Sequence, residues 1–252
     1  MSKVLETRKL VKHFGGFAAT HEVSLRVERG ARHALIGPNG AGKTTLINLL
    51  TGVLEPTSGS VILDGNDITR LPAHRRVRRG IVRTFQINQL FHELTPLQSL
   101  ALTVSGQLGI ARRPWQRLGR DPRLAERCEQ LLRDFRLADV HDRKVAQLAY
   151  GQRRQLEIAL ALACAPRVLL LDEPAAGVPE GERRQIFDIV NALPAEVTVL
   201  LIEHDMDLVF SFARRMTVLV NGAVLTEGTP EQIGADPQVK AVYLGDVAVL
   251  DG

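Results

Sequence analysis

Short apolar runs rich in branched side chains recur at 4–10, 22–27, 32–36, 60–63 and 81–85, and they predict a β-rich beginning to the chain. From about residue 89 to 165 the pattern changes. Leu, Ala and Arg dominate, and Gln130-Leu131-Leu132-Arg133-Asp134-Phe135 spaces its apolar positions as a helix does. Strand-like runs return at 168–171, 197–202 and 216–220, alternating with helical patterns such as 181–192. That alternation predicts a parallel α/β core interrupted by a helical insertion. The run Val168-Leu169-Leu170-Leu171 is apolar at every position rather than every second one, so its strand should be covered on both faces. The sequence holds no internal repeat or low-complexity linker. Its least regular stretch, Ala111-Arg112-Arg113-Pro114-Trp115-Gln116-Arg117, falls inside the insertion and reads as an exposed loop.

A chain of 252 residues, 45% of them hydrophobic, can bury a sizeable core and form one or two domains. The formal net charge of +4 is a mild excess that a solvated Arg-rich surface explains. No basic stripe interleaved with aromatics is present, so no nucleic-acid partner is expected. Cys128 and Cys164 stand in helix-like segments without metal-ligand spacing and read as free packing thiols of a reducing compartment. No apolar run approaches the roughly 20 residues that span a bilayer. Met1-Ser2-Lys3 does not open a signal peptide, and a cytoplasmic protein is expected.

Chemistry enters with Gly37-Pro38-Asn39-Gly40-Ala41-Gly42-Lys43-Thr44-Thr45, which follows the apolar segment Ala34-Leu35-Ile36 and leads into a helical one. This is a phosphate-binding loop. Its glycines let successive N–H groups turn inward on the phosphates of a nucleotide, and the positive end of the following helix adds to the attraction. Lys43 would hold the β- and γ-phosphates, Thr44 would place its hydroxyl on Mg2+, and Thr45 could donate to the α-phosphate. Downstream, the strand at 168–171 ends in Asp172 and Glu173. Ligands of open α/β sheets sit at the carboxyl ends of the strands, so Asp172 can reach a Mg2+ shell and Glu173 an attacking water.

Between these motifs lies Leu148-Ala149-Tyr150-Gly151-Gln152, followed by a helical Arg153-Arg154-Gln155-Leu156-Glu157-Ile158. The stretch resembles the signature of the ATP-binding-cassette ATPases, usually Leu-Ser-Gly-Gly-Gln, in its usual place before the Asp-Glu strand. Phe14 ahead of the loop, Gln86 after an apolar strand and His204 after another complete the family's order, and the resemblance spans almost the whole chain. It implies a P-loop NTPase of RecA-like plan: a mostly parallel sheet core, an antiparallel β subdomain and an inserted α-helical subdomain. The single cassette of 1–252 would divide into a nucleotide-binding α/β core (1–88 and 166–252) and a helical insertion (89–165) carrying the signature.

The same resemblance implies roles. Phe14 would stack on adenine, and Gln86 would touch Mg2+ or the attacking water. Glu173 would act as general base, with His204 on the γ-phosphate. Ala149, Tyr150, Gly151 and Gln152 would contact ATP held by the opposite subunit, so a second ATPase subunit, identical or a close paralogue, is needed. Two departures stand out. Ala149 replaces the usual Ser, and the loop after Pro174 lacks the family's Asp.

Finer matches, Phe14-Gly15-Gly16, Arg83-Thr84-Phe85-Gln86, Ile202-Glu203-His204-Asp205-Met206 and Tyr243-Leu244-Gly245, look like the ATP-binding subunits of branched-chain amino-acid importers. Partners implied are two integral membrane permease subunits and, indirectly, an extracytoplasmic solute-binding protein, with this chain peripheral on the cytoplasmic face of the inner membrane. Two other readings stay open: the ATPase of a lipid or lipopolysaccharide exporter, told apart by its partners, and a soluble cassette ATPase acting on DNA or ribosomes. Relatives of the last kind usually carry two cassettes or a long coiled coil, and this sequence has neither.

Overall fold

A computed structural model describes residues 2–84, 90–110 and 121–248, the side chains of 244–248 excepted. Its first part supplies strands β1 (Lys3–Phe14), β2 (Phe17–Val23), β3 (Arg26–Glu28), β4 (Arg32–Ile36), β5 (Ser58–Leu63), β6 (Asn66–Asp67) and β7 (Ile81–Arg83), with α1 (Lys43–Thr51) after β4 and α2 (Ala73–Arg79) before β7. Helices α3 (Pro96–Gln107), α4 (Pro122–Asp134) and α5 (Tyr150–Ala163) follow. Strands β8 (Val168–Asp172), β9 (Thr198–Ile202), β10 (Arg215–Val220) and β11 (Ala223–Gly228) then alternate with α6 (Glu180–Asn191) and α7 (Met206–Phe212), and α8 (Pro230–Ala235) and α9 (Pro237–Ala248) close the described chain.

Two sheets result. The larger runs β11-β10-β4-β9-β8-β7, parallel except for the antiparallel edge strand β11. The other is antiparallel, with the long β1 pairing β2, β3 and β5, and β6 beyond β5. The parallel core, the antiparallel β layer and the run of helices all match the plan expected from sequence.

Alternation explains why the parallel strands read as unbroken apolar runs. Ile36, Leu169, Leu171, Leu201 and Val218 face a core built with the helices. Leu35, Val168, Leu170, Leu200 and Leu219 face the other way, onto α1 and the antiparallel sheet. Each strand is therefore apolar on both faces. The helical face is one cluster, continuous from Leu100 and Val104 of α3 through Leu131 of α4 and Leu156 of α5 to Leu171 in the sheet. In α4, Leu124, Cys128, Leu131 and Leu132 are buried at i, i+4, i+7 and i+8, the helical spacing seen in the sequence. Both cysteines are free, and burial pushes the Cys128 thiol up to about 11.

Three details differ from the sequence expectation. The single strand expected at 22–27 is two, because Glu22 adopts a left-handed backbone (φ 47°) that ends β2 at the next residue. The strand expected at 81–85 ends at Arg83. The third is β11, a half-exposed edge strand whose side chains never alternate cleanly between core and solvent.

Strand order places the chemistry. Because β4, β9 and β8 are neighbours and parallel, the loops after Ile36, Ile202 and Asp172 emerge side by side.

Candidate active site

The loop after β4 is held by close backbone approaches that exclude side chains. At Gly37 (φ 151°) a Cβ would lie 2.1 Å from the Leu219 carbonyl oxygen, and at Gly42 (φ 96°) it would lie 2.4 Å from that of Ala19. Glycine is the residue that fits. Pro38, Asn39, Gly40 and Ala41 complete the curl. The N–H of Gly222 donates to the Ala41 carbonyl (3.0 Å) and that of His21 to the Gly222 carbonyl (2.7 Å), so Gly222 links the loop to β2 of the antiparallel sheet.

Helix α1 begins at Lys43 with no side-chain cap and no acid in its first turn. Its leading N–H groups and positive dipole end form an anion site. The Lys43 ammonium curls back over the loop and donates to the carbonyls of Gly37 (2.6 Å) and Pro38 (2.9 Å). Thr44 is exposed at the helix tip and Thr45 half-buried beside it.

Asp172, at the end of β8, forms an ion pair with Arg83, and Arg83 also donates to Asn48 Oδ1 (2.8 Å). Asn48 lies one turn beyond Thr44 on α1, so Asp172 stands near the helix face that carries the Thr44 hydroxyl. A hydroxyl and a carboxylate are hard oxygen donors and suit Mg2+, which draws its remaining ligands from phosphates and water. Among the described residues no group of three His, Cys, Asp or Glu forms a protein-only metal cage.

Glu173 follows in a left-handed backbone (φ 49°), a conformation that costs about 1–3 kcal/mol and clusters at functional sites. Three contacts hold it there. Its N–H donates to the Ile202 carbonyl (2.8 Å), its carbonyl accepts from Arg154 Nη2 (2.7 Å), and Oε1 lies 2.5 Å from His204 Nε2. The residue between Ile202 and His204 braces His204 and the turn that follows Glu173. Glu203 is buried, accepting from the Ala175 N–H (2.8 Å) and the His204 N–H (3.0 Å), and burial pushes its carboxyl above the usual carboxylate range.

Phe14 ends β1 across a tight turn from Phe17, half-exposed, with the Lys12 ammonium 5.4 Å from its ring centre. The same β1–β2 hairpin contributes Ala19, which backs Gly42. Ala149 is the N-cap of α5 and offers no acceptor. Only the reciprocal half of a capping box forms, the Ala149 N–H donating to Gln152 Oε1 (3.1 Å). Tyr150 is exposed with its hydroxyl on the Ala176 carbonyl (2.9 Å), while Gly151 is buried, a Cβ there falling 2.3 Å from Glu182 Oε2. Gln86 lies outside the described residues.

The fold thus gathers the loop of Lys43, Asp172, Glu173 and His204 at one sheet edge, and it joins Tyr150 to the turn after Glu173. Sequence reasoning passed over Arg83, Arg154 and Glu203 as site residues. The available signal was position: Arg83 and Glu203 are charges at the ends of apolar strands, immediately beside a motif.

A family model described as ABC transporter matches residues 20–176, and one described as branched-chain amino acid ATP-binding cassette transporter matches 223–249. The chain is 43% identical over 252 residues to the high-affinity branched-chain amino acid transport ATP-binding protein BraF of Pseudomonas aeruginosa, covering 96% of this chain and 98% of that one. It is 38% identical over 251 residues to LivG of Escherichia coli, described in the same words, with coverage of 96% and 98%. Among solved structures, the ADP conformation of an ATP-binding cassette of an ABC transporter is 35% identical, with a TM-score of 0.82 over 97% of this chain and 100% of that one.

Proposed function

The chain belongs to the ABC transporter family of nucleotide-binding ATPases, and on that footing we propose that it powers an importer of branched-chain amino acids or a closely related small solute. The observation that carries the reading is 43% identity along nearly the whole chain to a subunit of such a transporter. The site geometry supports the chemistry assigned below.

Lys43 and the N–H groups of 39–45 grip the β- and γ-phosphates, and Phe14 stacks on adenine. Thr44 and Asp172, with Gln86, hold Mg2+, which when bound neutralises charge on the phosphate oxygens. Glu173 orients a water through Oε2, since Oε1 is taken up by His204. As the water oxygen bonds to the γ-phosphorus, the bridging P–O bond to ADP breaks and the water's proton passes to Glu173. His204, steadied from behind by Glu203, faces the charge that spreads over the γ-phosphate oxygens.

The helix tip at Ala149, Tyr150, Gly151 and Gln152 closes the nucleotide pocket of a second ATPase subunit, a copy of this chain or a close paralogue. Residues 1–88 and 166–252 act as the nucleotide-binding core and 89–165 as the helical unit that carries the tip. Among the described residues no helix is long and apolar enough to cross a membrane. The path for solute is supplied by two permease subunits on whose cytoplasmic face the ATPase pair docks, and an extracytoplasmic binding protein delivers the solute.

Reconstitution with the permeases tests this. Turnover should rise several-fold when binding protein loaded with leucine, isoleucine or valine is added. Stimulation by a lipid or lipopolysaccharide instead, with none by any amino acid, would overturn the importer reading.

A further inference from the structure

Two side chains on one face of α5 reach the turn that follows β8. Tyr150 and Arg154 are four residues apart and so project from the same side of the helix. The Tyr150 hydroxyl donates to the Ala176 carbonyl (2.9 Å), and Arg154 Nη2 donates to the Glu173 carbonyl (2.7 Å). These carbonyls bracket the turn, whose own closing bond runs from the Ala176 N–H to that same Glu173 carbonyl (3.0 Å). The approach is close. A Cβ on Gly177 (φ 71°) would fall 2.6 Å from the Tyr150 hydroxyl. Arg154 is buried, and its other terminal nitrogen is fixed on Glu157 (2.6 Å) of the same helix, so its fork moves only with α5.

We propose that Tyr150 and Arg154 are positioning residues that clamp the Glu173 turn to the signature helix, so that seating of the helix tip on the opposite subunit's nucleotide is felt at this chain's own Glu173. The inference rests on the paired-subunit reading above. Its physical content is that two carbonyls bonded to one rigid helix follow that helix. Glu173 is sensitive to such a pull because its backbone is left-handed and its carboxylate is held on His204, so a small rotation re-aims the oxygen left for water.

Mixed dimers made from two differently tagged full-length chains test the clamp. Each dimer has one subunit silenced by Glu173→Gln, so that turnover comes from the other. Placing Tyr150→Phe in the active subunit should lower kcat about fivefold, the scale of one lost hydrogen bond, with KM for ATP unchanged. Placing it in the silenced subunit, where the altered tip faces the active nucleotide, should cost clearly less in kcat, any loss there being that of the tip's own contact to the active nucleotide. Arg154→Lys, which keeps a cation for Glu157 but loses the fork, should repeat the pattern. Loss in the silenced-subunit arrangement equal to or larger than in the active one would overturn the clamp and leave Tyr150 as a contact to the partner's nucleotide. No loss in either arrangement would overturn it as well. If the chains fail to pair with ATP at all, the functional reading itself falls and the clamp with it.

Discussion

At the residue scale the site depends on a few atoms. Glu173→Gln keeps the shape and the His204 contact but removes the proton acceptor, and turnover should fall about 10²–10⁴-fold. Mg-ATP affinity, read by equilibrium binding, should stay within a few-fold; undiminished turnover would remove Glu173 from its role. Ala149→Ser would complete the capping box that Gln152 half-forms, so the melting temperature should rise by the equivalent of about 1 kcal/mol. Turnover should rise with it, and equal rates for the two proteins would count against a role for that hydroxyl. Lys43, Asp172, Glu173 and His204 were legible in the sequence because motif order and strand ends place them without knowledge of packing. Arg83, Arg154 and Glu203 were not, because their partners are carbonyls, amides and acids brought close only by the tertiary fold.

At the element scale, strand β4 carries a buried titration. His33 is fully buried between the layers with Nε2 on Thr217 Oγ1 (2.8 Å), and burial lowers its pKa to about 4 from 6.5. The fold holds the neutral ring, so stability present above pH 6.5 is lost as pH falls toward 4, by about 3 kcal/mol in all. Glu157 of α5 acts in the opposite sense. Burial raises its carboxyl to about 7 against the pull of Arg154, so the stability tied to it falls as pH climbs from 4.5 to 7. The wild-type curve is a difference of the two. Urea unfolding of His33→Gln beside wild type isolates the histidine: the variant should lose less stability between pH 6.5 and 4.5, and parallel curves would refute the assignment. Strands walled in on both faces were easy to read because their composition leaves little choice. Strand β11 was missed and β2 was caught only at its end, since half-exposed edges carry mixed polarity and take their place from pairing rather than from burial.

For the molecule as a whole, one chain supplies one nucleotide loop and one signature tip, and the proposed reaction needs a loop and a tip from different chains. Specific ATPase activity should therefore fall on dilution below the dimer's dissociation constant, and Glu173→Gln with Mg-ATP should sediment as a dimer. Activity per chain that holds constant to high dilution would refute the pairing. The fold class was legible from the alternation of strands and helices. The contiguity of the helical stretch with the sheet was not, because side chains as distant in sequence as Leu100 and Leu171 join one cluster only once the chain is folded.

The Gly222 backbone, bonded at once to Ala41 of the phosphate loop and to His21 of β2, is a rivet that ties that loop and the two layers together. A ligand that stiffens the rivet braces both plates together. Calorimetry of the isolated chain should accordingly give a single endotherm that moves to higher temperature as a whole when Mg-ADP is added, rather than a shoulder that stays behind.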